Sequence, residues 1–242
     1  MKEALVVMAK APIAGQVKTR LIGGMPAGSA HPLNAEDAAD LYAAFLSDTF
    51  ATLEELADER EALRLVLAYT PVGAEEAFEK VEREGSLMLA QRGDELGERL
   101  TNCFSDLFGM GYERVVVVGG DSPTLPFEIL EYAFDALDDD ATVTLGPTED
   151  GGYYLIGSRK NHPVLFEGVE WSSPQVLTQT RERITAAHLT LIELPEWYDV
   201  DEPKELARLQ AEMQEEKELC FHTRRSLKAI ARRMREMQYG ER

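Results

Sequence analysis

The segment Ala9-Lys10-Ala11-Pro12-Ile13-Ala14-Gly15-Gln16-Val17-Lys18-Thr19-Arg20-Leu21 concentrates residue types that bind phosphate. Lys10, Lys18 and Arg20 supply cations, and Gly15 lets backbone approach closely. No acid occurs in residues 4–35, although the whole chain carries a net charge of −19. Phosphate oxygens are held by charge-assisted bonds from such cations and by free backbone N–H groups, so the segment fits a polyphosphate. It matches neither G-x-x-x-x-G-K-[ST] nor G-x-G-x-x-G and so indicates neither a P-loop ATPase nor a dinucleotide dehydrogenase. A solvated basic loop is the plainer alternative.

A second cluster runs Val115-Val116-Val117-Val118-Gly119-Gly120-Asp121-Ser122-Pro123-Thr124-Leu125-Pro126. Four valines suit a strand buried on both faces, two glycines admit a ligand or another backbone, and Asp121 then stands at the sheet's carboxyl edge. A hard cation such as Mg²⁺ is held by one or two carboxylates plus substrate phosphates. One Asp facing a basic loop is therefore sufficient, the alternative being a cap on the turn into a helix at Pro126. In Gly146-Pro147-Thr148-Glu149-Asp150-Gly151-Gly152-Tyr153-Tyr154, Asp150 fits an acceptor for hydroxyls or a base, and a tyrosine fits a pocket wall. The same D-G-G turn equally suits a plain hairpin. In Trp197-Tyr198-Asp199-Val200-Asp201-Glu202-Pro203, one of Asp199 and Asp201 fits a second metal ligand and the other a helix cap.

These residues need a frame. Apolar runs at 4–9, 63–70, 87–90, 115–118, 142–145, 153–157 and 188–194 read as strands. Helical patterns lie near 34–57, 73–84, 95–110, 126–138, 173–186 and 203–238. Strand and helix mostly alternate, which predicts an α/β fold with a mostly parallel sheet covered by helices on both faces. Ser173 before Pro174, and Asp201 before Glu202-Pro203, read as helix starts. The loop 22–33, rich in Gly, Pro and Ala, is the expected mobile segment.

The chain has 242 residues, 44% of them hydrophobic, enough for one generous domain with a real core. With 44 Asp or Glu against 25 Lys or Arg, a general nucleic-acid-binding role is not expected. Two cysteines, Cys103 and Cys220, make no C-x-x-C pair, and the four histidines never fall at i, i+4. A disulfide framework and a zinc site are therefore unsupported, and both thiols are expected to be reduced. No run resembles a signal h-region or a membrane span, so a cytoplasmic location is expected. The tail is electrostatically separate: residues 221–242 hold seven Lys or Arg against two Glu. Its Leu227, Ile230, Met234 and Met237 make one apolar stripe of a helix, to be packed on the chain's own acidic body or on a twin subunit in a homodimer.

The set A-K-A-P-x-x-G-x-V-K-T-R-L, Q-x-G-x-x-L-G-x-R (Gln91 to Arg99), G-D-S-P-x-L, G-P-x-x-D-G-G-Y-Y-L-I-G, W-S-S-P-x-V-L and D-V-D-x-P-x-x-L, spanning residues 4 to about 212, resembles the nucleotide-diphospho-sugar transferase family that includes arsenosugar-biosynthesis glycosyltransferases. It is more distantly similar to 2-phospholactate guanylyltransferase and the molybdenum-cofactor guanylyltransferases. The resemblance implies a GT-A-like, Rossmann-related domain over 1–215 with a basic helical extension over 216–242. It implies nucleotide phosphates on the first loop (Ala9, Lys10, Pro12, Gly15, Lys18, Arg20), with Gln91 and Gly93 near the base or ribose and Gly120 beside them. It implies a divalent metal, Mg²⁺ or Mn²⁺, at Asp121 with Asp201 or Asp199, and Asp150 and Tyr153 facing the acceptor.

The expected activity is metal-dependent glycosyl transfer from a nucleotide-diphospho-sugar donor to a small-molecule acceptor. Lys18 and Arg20 would stabilise the departing diphosphate, and Asp150 would act as base if the sugar is inverted. Glycosyltransferases of this fold often present D-x-D, whereas Ser122 and Pro123 follow Asp121 here, a spacing closer to nucleotidyltransferases. The alternative is therefore nucleotidyl transfer to a phosphorylated small acceptor with release of pyrophosphate. A nucleotide-binding protein without turnover is the third reading.

Overall fold

In a computed structural model, described over residues 1–27, 31–79, 81 and 85–240, seven strands form one sheet in the order β3-β2-β1-β4-β6-β5-β7. The strands are β1 (Glu3–Lys10), β2 (Leu63–Thr70), β3 (Leu87–Ala90), β4 (Arg114–Gly119), β5 (Thr142–Pro147), β6 (Tyr153–Ser158) and β7 (Thr190–Glu193). The helices are α1 (Ala35–Glu59), α2 (Leu96–Gly109), α3 (Phe127–Asp135), α4 (Val176–Ala186), α5 (Pro203–Glu215) and α6 (Phe221–Gly240). All strand pairs are parallel except those of β6, which runs antiparallel to both β4 and β5. The expected fold class holds, with β6 as the single reversal, because the Asp150-Gly151-Gly152 turn sends the chain straight back along β5.

Both faces of the sheet are buried, which is why β1 and β4 read as unbroken apolar runs. Leu5, Val7 and Ala9 of β1 point into one core with Phe45 of α1, Phe134 of α3 and Leu206 of α5. Ala4 and Val6 point into the other core with Phe104 of α2 and Ile184 of α4. A one-residue slip would exchange the two sets.

Four sequence-based expectations are corrected. The helix expected over 73–84 is a 3₁₀ turn at Glu75–Phe78, with residues 80 and 82–84 outside the described residues. The helix expected over 203–238 is two, α5 and α6, broken where Cys220 takes a left-handed φ of 50°. Asp48 of α1 explains the restart, since its carboxylate accepts the His222 and Thr223 N–H groups at 2.8 Å each and so satisfies two orphan donors of α6. Ser173 does not cap α4, which starts three residues later; its hydroxyl accepts the Gln175 N–H at 3.2 Å. Asp201 is not the cap of α5, because Glu202 and Glu205 form a capping box there, and this leaves Asp201 free for the site. In the loop 22–33, residues 28–30 lie outside the described residues.

The basic tail packs on its own chain. Ile230 and Met234 join the α1-side core, with Leu227 half-buried against it, and Arg233 pairs with Asp37 and Asp40 of α1 at 2.9 Å. The side chain of Met237 lies outside the described residues. Among the described residues no helix is long and apolar enough to cross a membrane, and Cys103 and Cys220 are free thiols, both buried.

Candidate functional site at the carboxyl ends of β1 and β4

From β1 the chain crosses through α1 to β2 on one side, while β4 lies on the other. The loops leaving β1 and β4 therefore diverge and open a crevice, the place where ligands bind in open α/β sheets. Lys18 comes from the first loop, Asp121 from the second, and Asp201 from the segment before α5. The last of these is drawn in because Val200 N–H bonds to Asp121 O at 2.8 Å and Trp197 Nε1 to Thr124 Oγ1 at 3.1 Å.

Lys18 Nζ lies 2.5 Å from Asp121 Oδ1 and 2.7 Å from Asp201 Oδ1. The lysine side chain is 3% exposed, the two carboxylates 41% and 48%. Burial alone would push the Lys18 ammonium down, but Asp121 and Asp201 outweigh it and hold it above the ordinary lysine value. Beneath it lie the rings of Tyr42 and Phe45, with centroids 5.6 and 5.8 Å from Nζ, within cation–π reach. A third acid, Asp199, accepts from Ser122 Oγ at 2.5 Å. Burial and the charge of Asp121 push its carboxyl well above the usual carboxylate range, against the pull of Ser122 and Lys18.

Asp201 separates two cavities. The first, about 320 Å³, is lined by Ala9, Lys10, Lys18, Gln91, Arg99 and Asp121, among others. Gln91 Nε2 donates to Ala68 O at 2.7 Å and to Ala9 O at 3.3 Å, which fixes its amide at the ends of β1 and β2. Arg99 bonds Gly93 O and Asp94 O and so braces the loop entering α2. Lys10 Nζ is turned onto Gln16 O at 2.9 Å. The second cavity, about 100 Å³, is lined by Arg20, Thr148, Glu149, Asp150, Asp199, Asp201, Glu202, Lys204 and Glu205. Asp150 Oδ1 is oriented there by the Thr148 hydroxyl at 2.6 Å and the Gly152 N–H at 3.1 Å.

Of the sequence-selected residues, Ala9, Lys10, Lys18, Gln91, Asp121 and Asp201 thus meet at the first cavity, and Arg20 and Asp150 at the second. Pro12 and Gly15, with φ of 75° at Gly15, shape the loop without lining either. Gly93 turns the chain at φ 126° with no room for a Cβ beside Glu98. Gly120 lets β4 approach Leu46 and Tyr42 of α1. Tyr153 is enclosed against Trp171, 6.4 Å between ring centroids, and is not among the residues lining the second cavity. Sequence reasoning missed Tyr42, whose hydroxyl accepts the Lys10 N–H at 3.3 Å. Its one signal was a polar-tipped ring on the mostly apolar buried face of α1.

The donor set suits a hard divalent cation: two carboxylate oxygens already converge on one positive centre, the Lys18 ammonium, and they face an open crevice that can supply water and phosphate oxygens. Among the described residues, no group of three or more His, Cys, Asp or Glu is arranged to hold a metal without such help.

A crystal structure from Desulfovibrio desulfuricans G20, described as a "putative nucleotide-diphospho-sugar transferase", is 29% identical and superposes with a TM-score of 0.79 over 97% of this chain and 99% of that one. A 4-diphosphocytidyl-2C-methyl-D-erythritol synthase from Anaerococcus prevotii DSM 20548, 12% identical, shares the fold at TM-score 0.54 over 88% of this chain and 96% of that one. Rv0371C from Mycobacterium tuberculosis H37Rv, solved as a complex with manganese and 14% identical, shares it at TM-score 0.51 over 86% and 98%. No curated protein matches the sequence. The chain thus shares its fold along nearly its whole length with the structure described as a "putative nucleotide-diphospho-sugar transferase". Residues 52–173 match the family described as "Uncharacterized protein conserved in bacteria (DUF2064)", and the chain belongs to that family.

Proposed function

We propose that the protein is a divalent-cation-dependent glycosyltransferase that takes a nucleotide-diphospho-sugar donor. The observation that carries this is the convergence of Lys18, Asp121 and Asp201 at the mouth of a 320 Å³ cavity between β1 and β4. The nucleoside would occupy that cavity beside Gln91, with Gly93 shaping its rim. The diphosphate would lie over Lys18 between Lys10 and Arg20, and the acceptor would enter the second cavity. Asp121 and Asp201 would hold Mg²⁺ or Mn²⁺, which supplies charge stabilisation to the diphosphate. Lys18 and Arg20 would supply positive charge to the oxygens where negative charge develops as the diphosphate departs. Asp150, held by Thr148 and Gly152, would take the proton of an acceptor hydroxyl.

Nucleotidyl transfer is the second reading, favoured by the G-D-S-P sequence at Asp121 in place of D-x-D. The charge of the second cavity weighs against it. Six carboxylates line that cavity against Arg20 and Lys204, and Lys204 is itself 3.6 Å from Glu202 and 3.3 Å from Glu205. A phosphorylated acceptor entering there meets net repulsion, whereas a neutral hydroxyl compound does not.

A thermal-shift panel of nucleoside diphosphates, nucleotide-sugars and nucleoside triphosphates, with and without Mg²⁺ or Mn²⁺, tests the proposal. A ligand at 100 times its dissociation constant stabilises by about 2.7 kcal/mol, roughly 5–10 °C at this size. A metal-dependent shift larger with one nucleotide-sugar than with its bare diphosphate is the expected result. A shift confined to triphosphates, with pyrophosphate as product, would replace it with nucleotidyl transfer.

A further inference from the structure

We propose that Lys18 is an exchangeable internal counter-cation: it holds Asp121 and Asp201 together until a divalent cation takes them, and its ammonium then turns to the diphosphate of the nucleotide. The proposal rests on Asp121 and Asp201 being the cation-holding pair.

Charge is the first argument. Two carboxylates, Asp121 and Asp201, share the single ammonium of Lys18, with the Asp199 carboxyl beside them on Ser122, so the cluster lacks positive charge, and a divalent cation neutralises it better than a lysine does. Position is the second. Lys18 reaches the pair from below, 3% exposed over Tyr42 and Phe45, while the carboxylates are 41% and 48% exposed toward the crevice. A cation arriving from the crevice therefore meets the same two Oδ1 atoms that Lys18 already holds at 2.5 and 2.7 Å. A monopositive and a dipositive centre within that distance repel strongly, so the two occupancies exclude each other.

Backbone is the third argument. Lys18 sits at φ 46°, a left-handed conformation that an L residue with a long side chain adopts only when its surroundings impose it. The 3₁₀ turn Thr19–Leu21 that it heads, with the Leu21 N–H on the Lys18 carbonyl at 2.9 Å, sets this backbone, and the ion pair with Asp121 and Asp201 holds the side chain that it presents. The preceding residues 11–17 form no strand or helix, and Gly15, at φ 75°, stands open to solvent, so Lys18 is carried on a loop rather than on a rigid element. A released ammonium beside the same crevice is a phosphate-binding group. Metal and diphosphate should therefore bind with positive coupling, each strengthening the other.

Lysine acylation followed by mass spectrometry of the full chain tests the exchange without any turnover. Exposed Lys160 and Lys228 serve as internal references. Without additions, Lys18 should react far more slowly than either. Mn²⁺ alone, at a concentration shown to saturate by electron paramagnetic resonance, should raise the Lys18 rate several-fold, leave the references unchanged, and have no effect in Asp121→Asn. A Lys18 rate unchanged or lowered by saturating Mn²⁺ overturns the proposal while leaving the metal reading intact; absence of Mn²⁺ binding overturns both. Independently, Lys18→Gln should tighten Mn²⁺ binding in the absence of nucleotide by about tenfold, a typical coupling, and abolish the gain that a nucleoside diphosphate gives. Unchanged or weaker Mn²⁺ binding by that variant, folded as judged by circular dichroism, overturns the exchange.

Discussion

Two ion clusters sit at opposite ends of the same strands, and they are built differently. At the amino end of β1, the Glu3 carboxylate accepts from Arg60 Nε at 2.9 Å, Arg60 Nη2 at 3.1 Å and Arg114 Nη1 at 3.1 Å, and Arg60 also pairs with Asp135 at 2.8 Å. Two carboxylates meet two guanidiniums, the charges cancel, and the planar forks fix the geometry. At the carboxyl end, two carboxylates, Asp121 and Asp201, meet one lysine, with Asp199 close by. The first cluster is complete as it stands and closes the sheet. The second is short of positive charge and opens on a crevice. Charge balance, rather than the presence of an ion pair, separates the structural cluster from the functional one.

Breaking the balanced cluster should have the largest effect on stability. Glu3→Ala leaves Arg114, 18% exposed, without a carboxylate and Arg60 with Asp135 alone, and removing one partner of such a pair destabilises by about 3 kcal/mol. Urea unfolding should show that loss with an unchanged m-value, while metal-dependent nucleotide binding survives. The same carboxylate gives a pH signature. Burial pushes it up, but Arg60 and Arg114 outweigh burial and hold Glu3 below its ordinary value of 4.5. The unfolded chain then binds the proton more readily, so the contribution of Glu3 is fully present above about pH 4.5 and drains away as pH falls through the folded value. Wild type should lose stability over that window more steeply than Glu3→Gln.

Asp121→Asn inverts the pattern. The Lys18 ammonium keeps Asp201 at 2.7 Å and the repulsion between Asp121 and Asp199 is relieved, so unfolding stability without ligand should fall far less than in Glu3→Ala, by about 0.5 kcal/mol. The metal-dependent stabilisation by nucleotide, about 2.7 kcal/mol at 100 times the dissociation constant, should vanish. Equal loss of intrinsic stability in both variants would show that the two clusters do the same job and break the comparison.

Gly120→Ala tests the frame between the clusters. An added Cβ would strike Leu46 and stand 3.2 Å from the Tyr42 hydroxyl. Overpacking of this kind costs about 1–3 kcal/mol, and displacement of Tyr42, which floors Lys18, should weaken nucleotide binding as well. A variant stable but unable to bind would place Gly120 on the functional side of the comparison; one that loses stability alone would place it on the structural side.

Local sequence made much of this legible. Strands buried on both faces announce themselves as apolar runs, so β2 and β3 fall where expected to the residue. An acid-free window in an acidic chain pointed to Lys18, and a strand ending in Gly-Gly-Asp pointed to Asp121. The partnership between them was not legible, because it depends on β4 lying beside β1 although 103 residues separate Lys18 from Asp121 in the chain. The balanced cluster escaped notice for the same reason. Glu3, Arg60 and Arg114 look like ordinary surface charges until strand order brings them together. Tyr42 and the α5–α6 break were hidden likewise, one by the Lys10 backbone it bonds, the other by Asp48 reaching across from α1.

The smallest effect belongs to Arg233, the basic tail's own ion pair. It is 49% exposed and reaches Asp37, 5% exposed, and Asp40, 50% exposed, so solvent screens most of the attraction, and Arg233→Ala should cost only about 0.5–1 kcal/mol. Ile230 and Met234 hold α6 by burial instead, and burial is insensitive to salt. Raising the ionic strength from 0.05 to about 0.5 M shortens the screening length from roughly 14 to 4 Å and should erase the difference between Arg233→Ala and wild type. The Glu3 cluster, shielded from solvent, should keep most of its difference under the same change. If salt removed both differences equally, partial burial would not be what distinguishes the paired charges of the sheet edge from those of the tail.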